Sequence, residues 1–184
     1  MKSGFLYVTL RKETERGGNN MTFDADRQIM ELAREIMGDA GLPYTDAQLK
    51  ELPAIFAAKS RYFWCVDNRE FDMLADVFTE EGFRSYWSGR AGHTRREAQV
   101  EQYRSLITDA MVPMHFGYNQ IVQFTGERSC RLLTRMHDYH VYKDNGEVYS
   151  GYGLYVDDLV KCEDDRWRIQ TLRLTYRVLD GKLR

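Results

Sequence analysis

The sequence predicts an α+β domain in which N-terminal helices pack on a strongly curved antiparallel sheet to form a cone-shaped α+β barrel. Three observations lead there. Apolar residues recur at helical spacing from residue 24 to residue 80, the pattern switches to alternation after residue 82, and short turn signals cut the C-terminal half into strand-length runs. With 184 residues, 43% of them hydrophobic and 13% aromatic, the chain can bury one sizeable core, so residues 23–184 are expected to form a single domain. Residues 1–22, where GFLYVTL runs into the polar RKETERGGNN, read as a flexible leader outside that domain.

Ile29, Leu32, Ala33 and Ile36 form one apolar stripe, predicting a first helix from Asp24 to about Gly38. Thr45 and Gln48 make a capping box for a second helix. Pro53 should restart or kink that helix, which carries Ile55, Phe56, Tyr62, Phe63 and Val66 and ends near Asp67 and Asn68. Phe71, Leu74, Ala75 and Phe78 predict a third, shorter helix over 69–80. A strand over 83–88 follows. Thr94 and Glu97 form a second capping box for a helix reaching about Ala110, which Pro113 breaks. Strands near 115–125, 129–142, 147–161 and 167–179 are joined by T-G-E, K-D-N-G and E-D-D, connections short enough for hairpins.

Several function classes are disfavoured at once. A net charge of -2 and a pI near 6.1 leave no basic face for nucleic acid. No run approaches the ~20 apolar residues of a membrane span. Cys65, Cys130 and Cys162 lie far apart with no metal-binding spacing and read as buried thiols of a reducing compartment, which predicts a soluble cytoplasmic protein. Gly151-Tyr152-Gly153 has no following helix, so it is no phosphate cradle. His115, Asp138 and His140 are of the residue types that hold iron, but the HxD spacing of many such sites is absent, and neither metal nor cofactor is expected.

The stretch TRMHDYHVY, residues 134–142, carries the most informative conflict. Counting by two, Leu132, Thr134, Met136, Asp138 and His140 share one face, and Leu132 and Met136 mark it as the inner one. A carboxylate turned into a core costs several kcal/mol unless it is paired or reached by water or ligand. Asp138 is therefore expected to pair with His115 or His140, unless a bulge shifts the strand and leaves it solvated.

Three segments, SRYFWCVDNREFDMLADVFTEEG, MHFGYNQIVQFTG and GYGLYVDDLVKCEDDRWRIQTLRL, resemble the SnoaL-like branch of the nuclear-transport-factor-two-like superfamily. The likeness spans about Asp46 to Val178 and is strongest toward dehydratases of the scytalone and bile-acid 7α types. It implies catalytic roles for Tyr62, Asp67, His115 and Asp138, and substrate contacts from Tyr86 and from an arginine of the last strand, Arg177 or alternatively Arg173. It also implies a small hydrophobic cyclic ligand, steroid-like or polyketide-like, and a homo-oligomer, dimer or trimer. This superfamily places unrelated functions on one fold, some without catalysis.

The chemistry of these residues suits elimination or isomerisation by proton transfer. An acid bonded to one nitrogen of His115 would fix its tautomer and leave the other nitrogen to take a proton; Asp67 and Asp138 both qualify. Asp67 could equally cap the third helix through Asp67-x-x-Glu70. Tyr62 and Asp67 lie about 140° apart on an ideal helix, so they share a pocket only if the helix loosens at Asp67. Tyr62 and Tyr86 could donate to a substrate carbonyl. Phe63, Trp64, Trp87, Phe116 and Tyr118 would supply apolar walls, with His140 beside them. The competing reading is a non-catalytic ligand-binding or assembly module, such as a ring-hydroxylating oxygenase β-subunit-like protein. A pocket filled by side chains would favour the module.

Overall fold

A computed structural model of the protein describes residues 21–38, 41–87 and 92–181. The expected leader lies outside them, apart from Met21 and Thr22, which open the first helix. The elements follow in the order α1 (Met21–Gly38), α2 (Asp46–Asn68), α3 (Phe71–Val77), β1 (Arg84–Trp87), α4 (Arg96–Leu106), β2 (Met111–Gly126), β3 (Ser129–Tyr142), β4 (Val148–Lys161) and β5 (Trp167–Asp180). The residue 88 end of the first expected strand also lies outside the described residues.

The expected capping box of α2 is present. The Thr45 hydroxyl accepts from the Gln48 N–H at 3.3 Å, and the Gln48 side chain accepts from the Thr45 N–H at 2.9 Å. Pro53 sits inside α2 without ending it. The capping box of α4 does not form: Arg95 is the residue before the helix, and the Glu97 carboxylate turns to Arg96 at 3.1 Å instead of back toward Thr94. That helix ends at Leu106, earlier than Ala110, and Pro113 lies within β2. Because β2 is a sheet edge, its proline can be placed without losing a ladder bond.

The five strands lie in the order β1-β5-β4-β3-β2. Successive strands from β2 to β5 are antiparallel, as the hairpin signals predict, while β1 pairs in parallel with β5 and makes the sheet mixed. Register shifts between Tyr118 and Ile121, Tyr152 and Gly153, and Asp158 and Leu159 mark bulges, which bend a sheet. The main core lies between the inner face of this curved sheet and α2, α3 and α4, centred on Tyr62, Val66, Leu74, Phe78, Leu132, Met136, Tyr155 and Leu172. A second, smaller core lies on the outer face, where Ile29, Ala33 and Ile36 of α1 cover Leu133 and Val156. The helices thus hold the sheet from both sides.

Candidate active site

The last turn of α2 delivers the first functional group. Arg69 takes a left-handed conformation (φ 59°, ψ 31°), and the Glu70 N–H donates to the Cys65 carbonyl, ending the helix at Asn68. Asp67 is thereby released toward β2. Its Oδ2 accepts the backbone N–H of His115 at 2.9 Å and its Oδ1 lies 2.6 Å from His115 Nδ1. Asp67 is not the cap of α3: the residue there is Glu70, with no side-chain capping bond.

The inner face of β3 supplies the second cluster. Leu132, Thr134, Met136, Asp138 and His140 are all buried, as their alternation predicts. Asp138 is 1% exposed and stands opposite His115 in the β2–β3 register. Its Oδ2 accepts from the Tyr176 hydroxyl at 2.6 Å and lies 3.7 Å from His140 Nε2. The His115 and His140 rings meet edge to face with centroids 5.1 Å apart. Burial pushes the Asp138 carboxyl up, but the imidazole of His140, the Tyr176 hydroxyl and the nearby His115 outweigh it and hold the group below its ordinary value.

Two glycines make these arrangements possible. A Cβ on Gly151 of β4 would stand 2.3 Å from Asp138 Oδ1 and 2.4 Å from the Tyr176 ring, so this residue opens the passage through which β5 reaches β3. A Cβ on Gly117 would stand 2.4 Å from the Phe63 ring, which stacks on His115 at a 6.0 Å centroid distance and 10° interplanar angle.

Tyr62 enters the same pocket from α2. Its hydroxyl lies 2.7 Å from that of Tyr103 and 3.2 Å from that of Tyr155, giving a buried chain of three phenols. Burial pushes all three well above the ordinary tyrosine range. Beneath them Lys59 and Asp157 form a fully buried ion pair at 2.8 Å, with Lys59 Nζ 3.3 Å from the centroid of the Tyr155 ring. Burial lowers the Lys59 ammonium to about 8 and raises the Asp157 carboxyl.

Tyr62, Trp87, His115, Asp138 and His140 therefore line one pocket, joined by Tyr103, Tyr149, Tyr155 and Tyr176. Its free space is about 30 Å³, the room of one water. Phe63 backs the site by stacking on His115. Other sequence expectations fail by facing. Tyr86 is 38% exposed and lies with Arg173, Gln28 and Ile29 on the outer surface, because adjacent residues of β1 point to opposite faces and Trp87 takes the inner one. Tyr118 is exposed, three residues along β2 from the inward His115. Trp64 and Phe116 are also exposed and form no pocket wall. Arg177 lies on the outer face near Met30 of α1, and Tyr176 takes the inner position expected of it.

A metal is the remaining chemical option for this donor set. His115, Asp138 and His140 each offer one ligand atom within 4.8 Å of the others. Ligands bound at ~2.1 Å around one ion stand ~3.3 Å apart, so the widest separation would have to contract before all three could bind.

A curved five-stranded mixed sheet with helices packed on it is the architecture of a nuclear-transport-factor-two-like protein. The chain belongs to the SnoaL-like domain family, whose model matches residues 47–173. Among solved structures it is similar to a scytalone dehydratase candidate from Novosphingobium aromaticivorans, with 23% identity, a TM-score of 0.70, and 77% of this chain and 94% of that one covered. A hexachlorocyclohexane dehydrochlorinase, LinA type 2, superposes with 14% identity and a TM-score of 0.65 over 73% of this chain and 90% of that one. An aromatic ring hydroxylase candidate from N. aromaticivorans gives 20% identity and a TM-score of 0.67 over 73% of this chain and 95% of that one. At these identities the likeness is one of fold. No curated protein matches the sequence significantly. Among the described residues no helix is long and apolar enough to cross a membrane.

Proposed function

We propose that the protein is a cofactor-independent dehydratase or isomerase acting by acid/base proton transfer on a hydrophobic cyclic substrate, steroid-like or polyketide-like. The observation that carries this reading is the 2.6 Å contact between Asp67 and His115, whose imidazole lines an aromatic pocket. A carboxylate can only accept, so Nδ1 of the neutral imidazole carries the proton and Nε2 keeps its lone pair. Nε2 removes a proton beside a substrate carbonyl, and the resulting imidazolium returns it to the departing hydroxide. Water and a conjugated carbonyl compound are the products. The Tyr62 hydroxyl, in contact with Tyr103 and Tyr155, donates to the carbonyl oxygen as negative charge develops there. Asp138, held by Tyr176 and facing His140, places a second carboxylate next to the imidazolium that forms.

Hydroxylated ketosteroids and polyketide phenols incubated with the protein should give a new conjugated absorbance that His115→Ala loses. Equal signals from the two proteins would refute the proton-transfer role.

The pocket's small volume favours a second reading, the non-catalytic module. Titrating an unreactive steroid ketone while following tryptophan fluorescence tests for the assembly form of that module. Entry of the ligand beside Trp87 must change the emission for the catalytic reading to hold, an unchanged spectrum supports an assembly module, and a changed one leaves the His115→Ala comparison to separate enzyme from ligand carrier.

A further inference from the structure

On the outer face of the sheet, α1 stops short of covering β2 to β5 and leaves a groove of about 730 Å³. Ala33, Ile121, Leu133 and Leu154 floor it, and Met30 and Met37 flank it. Its size falls within the range of small-molecule sites. Three guanidiniums border it from three elements: Arg34 of α1, Arg135 of β3 and Arg177 of β5. None of its lining residues is acidic, although Asp26 lies in an adjoining depression that Arg34 and Arg177 also line.

The state of these arginines is unusual for this chain. Arg61, Arg104, Arg128, Arg131, Arg168 and Arg173 each lie within 4.0 Å of a carboxylate. Arg34, Arg135 and Arg177 have no carboxylate partner among the described residues, and Arg177 Nη1 lies 3.5 Å from the sulfur of Met30. Three unneutralised cations around an apolar floor attract a ligand of the opposite charge and similar apolarity. Their forks also suit a carboxylate's two oxygens.

We propose that this groove binds an anionic amphiphile, a molecule with an apolar body lying on Leu133 and Leu154 and a carboxylate head held by Arg34, Arg135 and Arg177. The site is separated from the inner pocket by the thickness of the sheet and is independent of the proton-transfer chemistry. The arginine expected to serve the active site belongs instead to this second one.

Laurate, with dodecyltrimethylammonium as the same chain under opposite charge, tests the proposal. Both are titrated below their micellar concentrations into full-length protein by calorimetry. Laurate should bind the wild-type protein and the ammonium should not, with laurate weakening as salt screens the exposed charges. Each of Arg34→Ala, Arg135→Ala and Arg177→Ala should weaken laurate by about threefold, and the triple variant by about 30-fold if the three act independently. All three side chains are exposed, so an unchanged melting temperature verifies that the variants fold. His115→Ala should bind laurate as the wild-type protein does, which keeps this outcome separate from that of the dehydratase assay. The proposal is overturned by absent laurate binding, by equal binding of the two surfactants, or by undiminished affinity in the triple variant. A stable wild-type dimer that Arg135→Glu splits would also overturn it, since a second copy would then own the groove.

Discussion

His115 and Asp67 meet twice, once through the backbone N–H of His115 and once through its ring, so one carboxylate fixes both the position of β2 and the tautomer of the imidazole. The double contact ties the end of α2 to the third inward position of the edge strand.

Replacing Asp67 by Asn tests the role of charge and tautomer with little change of shape. The single amide oxygen can still accept the backbone N–H, but the amide nitrogen then faces Nδ1 and donates to it. The imidazole must turn to the Nε2–H tautomer, which has no lone pair toward the pocket. Turnover in the conjugation assay should fall about 10²–10⁴-fold. Nitrogen-15 spectra of the ring should show the change of tautomer, and an unaltered tautomer would remove Asp67 from the mechanism.

Glycines 117 and 151 should tolerate nothing larger. Gly117→Ala drives a methyl group into the ring edge of Phe63, the residue that backs His115. Overpacking of this kind costs about 1–3 kcal/mol. For a chain of this size the melting temperature should drop by about 3–9 °C in calorimetry. Gly151→Ala should in addition separate Tyr176 from Asp138, since the new methyl would strike both. Melting temperatures within 1 °C of wild type would show that the rings relax freely.

Strand parity explains which parts of this site were legible in the sequence. The regular alternation of β3 placed Asp138 and His140 inward with Leu132 and Met136, and burial agrees. In β5 the same counting fails. Trp167 and Ile169 face inward, but a register shift sets Asp158 against Thr171 and Leu159 against Ile169, leaving Gln170 as an extra residue. Beyond it the inward set becomes Leu172, Leu174 and Tyr176, so Arg177 turns outward. A bulge leaves no reliable mark in composition, and the arginine that the family resemblance implies at Arg177 falls one residue away from Tyr176, which takes the inner position. Tyr86 and Tyr118 are different: alternation alone separates them from Trp87 and His115, against the family resemblance for Tyr86 and against the bare aromatic character of Tyr118. Lys59 and Asp157 escaped notice although each lies on an apolar periodicity, Lys59 three residues before Tyr62 and Asp157 midway between Tyr155 and Leu159.

That buried pair carries a further prediction. Lys59→Met removes the ammonium paired with Asp157 in a region with no solvent contact and should destabilise the protein by about 3–5 kcal/mol. The double variant Lys59→Met/Asp157→Leu replaces both charges by apolar groups and should recover most of that loss. Urea midpoints of the three proteins decide the matter. A double variant no more stable than the single one would mean that the pair contributes beyond mutual neutralisation, through the ammonium held over Tyr155 and Tyr62.

Asp138 should leave a signature in acid. Its carboxyl is held below the ordinary value of 3.8 in the folded protein, where His140, Tyr176 and His115 favour the ionised form more than burial opposes it. Between the folded and unfolded values the unfolded chain binds the extra proton, so stability rises with pH across that interval. The contribution is complete above the unfolded value near 3.8 and disappears as the pH falls through the lower, folded one. Asp138→Asn removes this titration while keeping an acceptor for Tyr176. Urea midpoints measured from pH 6 down to pH 3 should decline less steeply in the variant than in the wild-type protein. Parallel curves would show that Asp138 takes up its proton equally in both states, and that the His140 and Tyr176 contacts do not select the carboxylate.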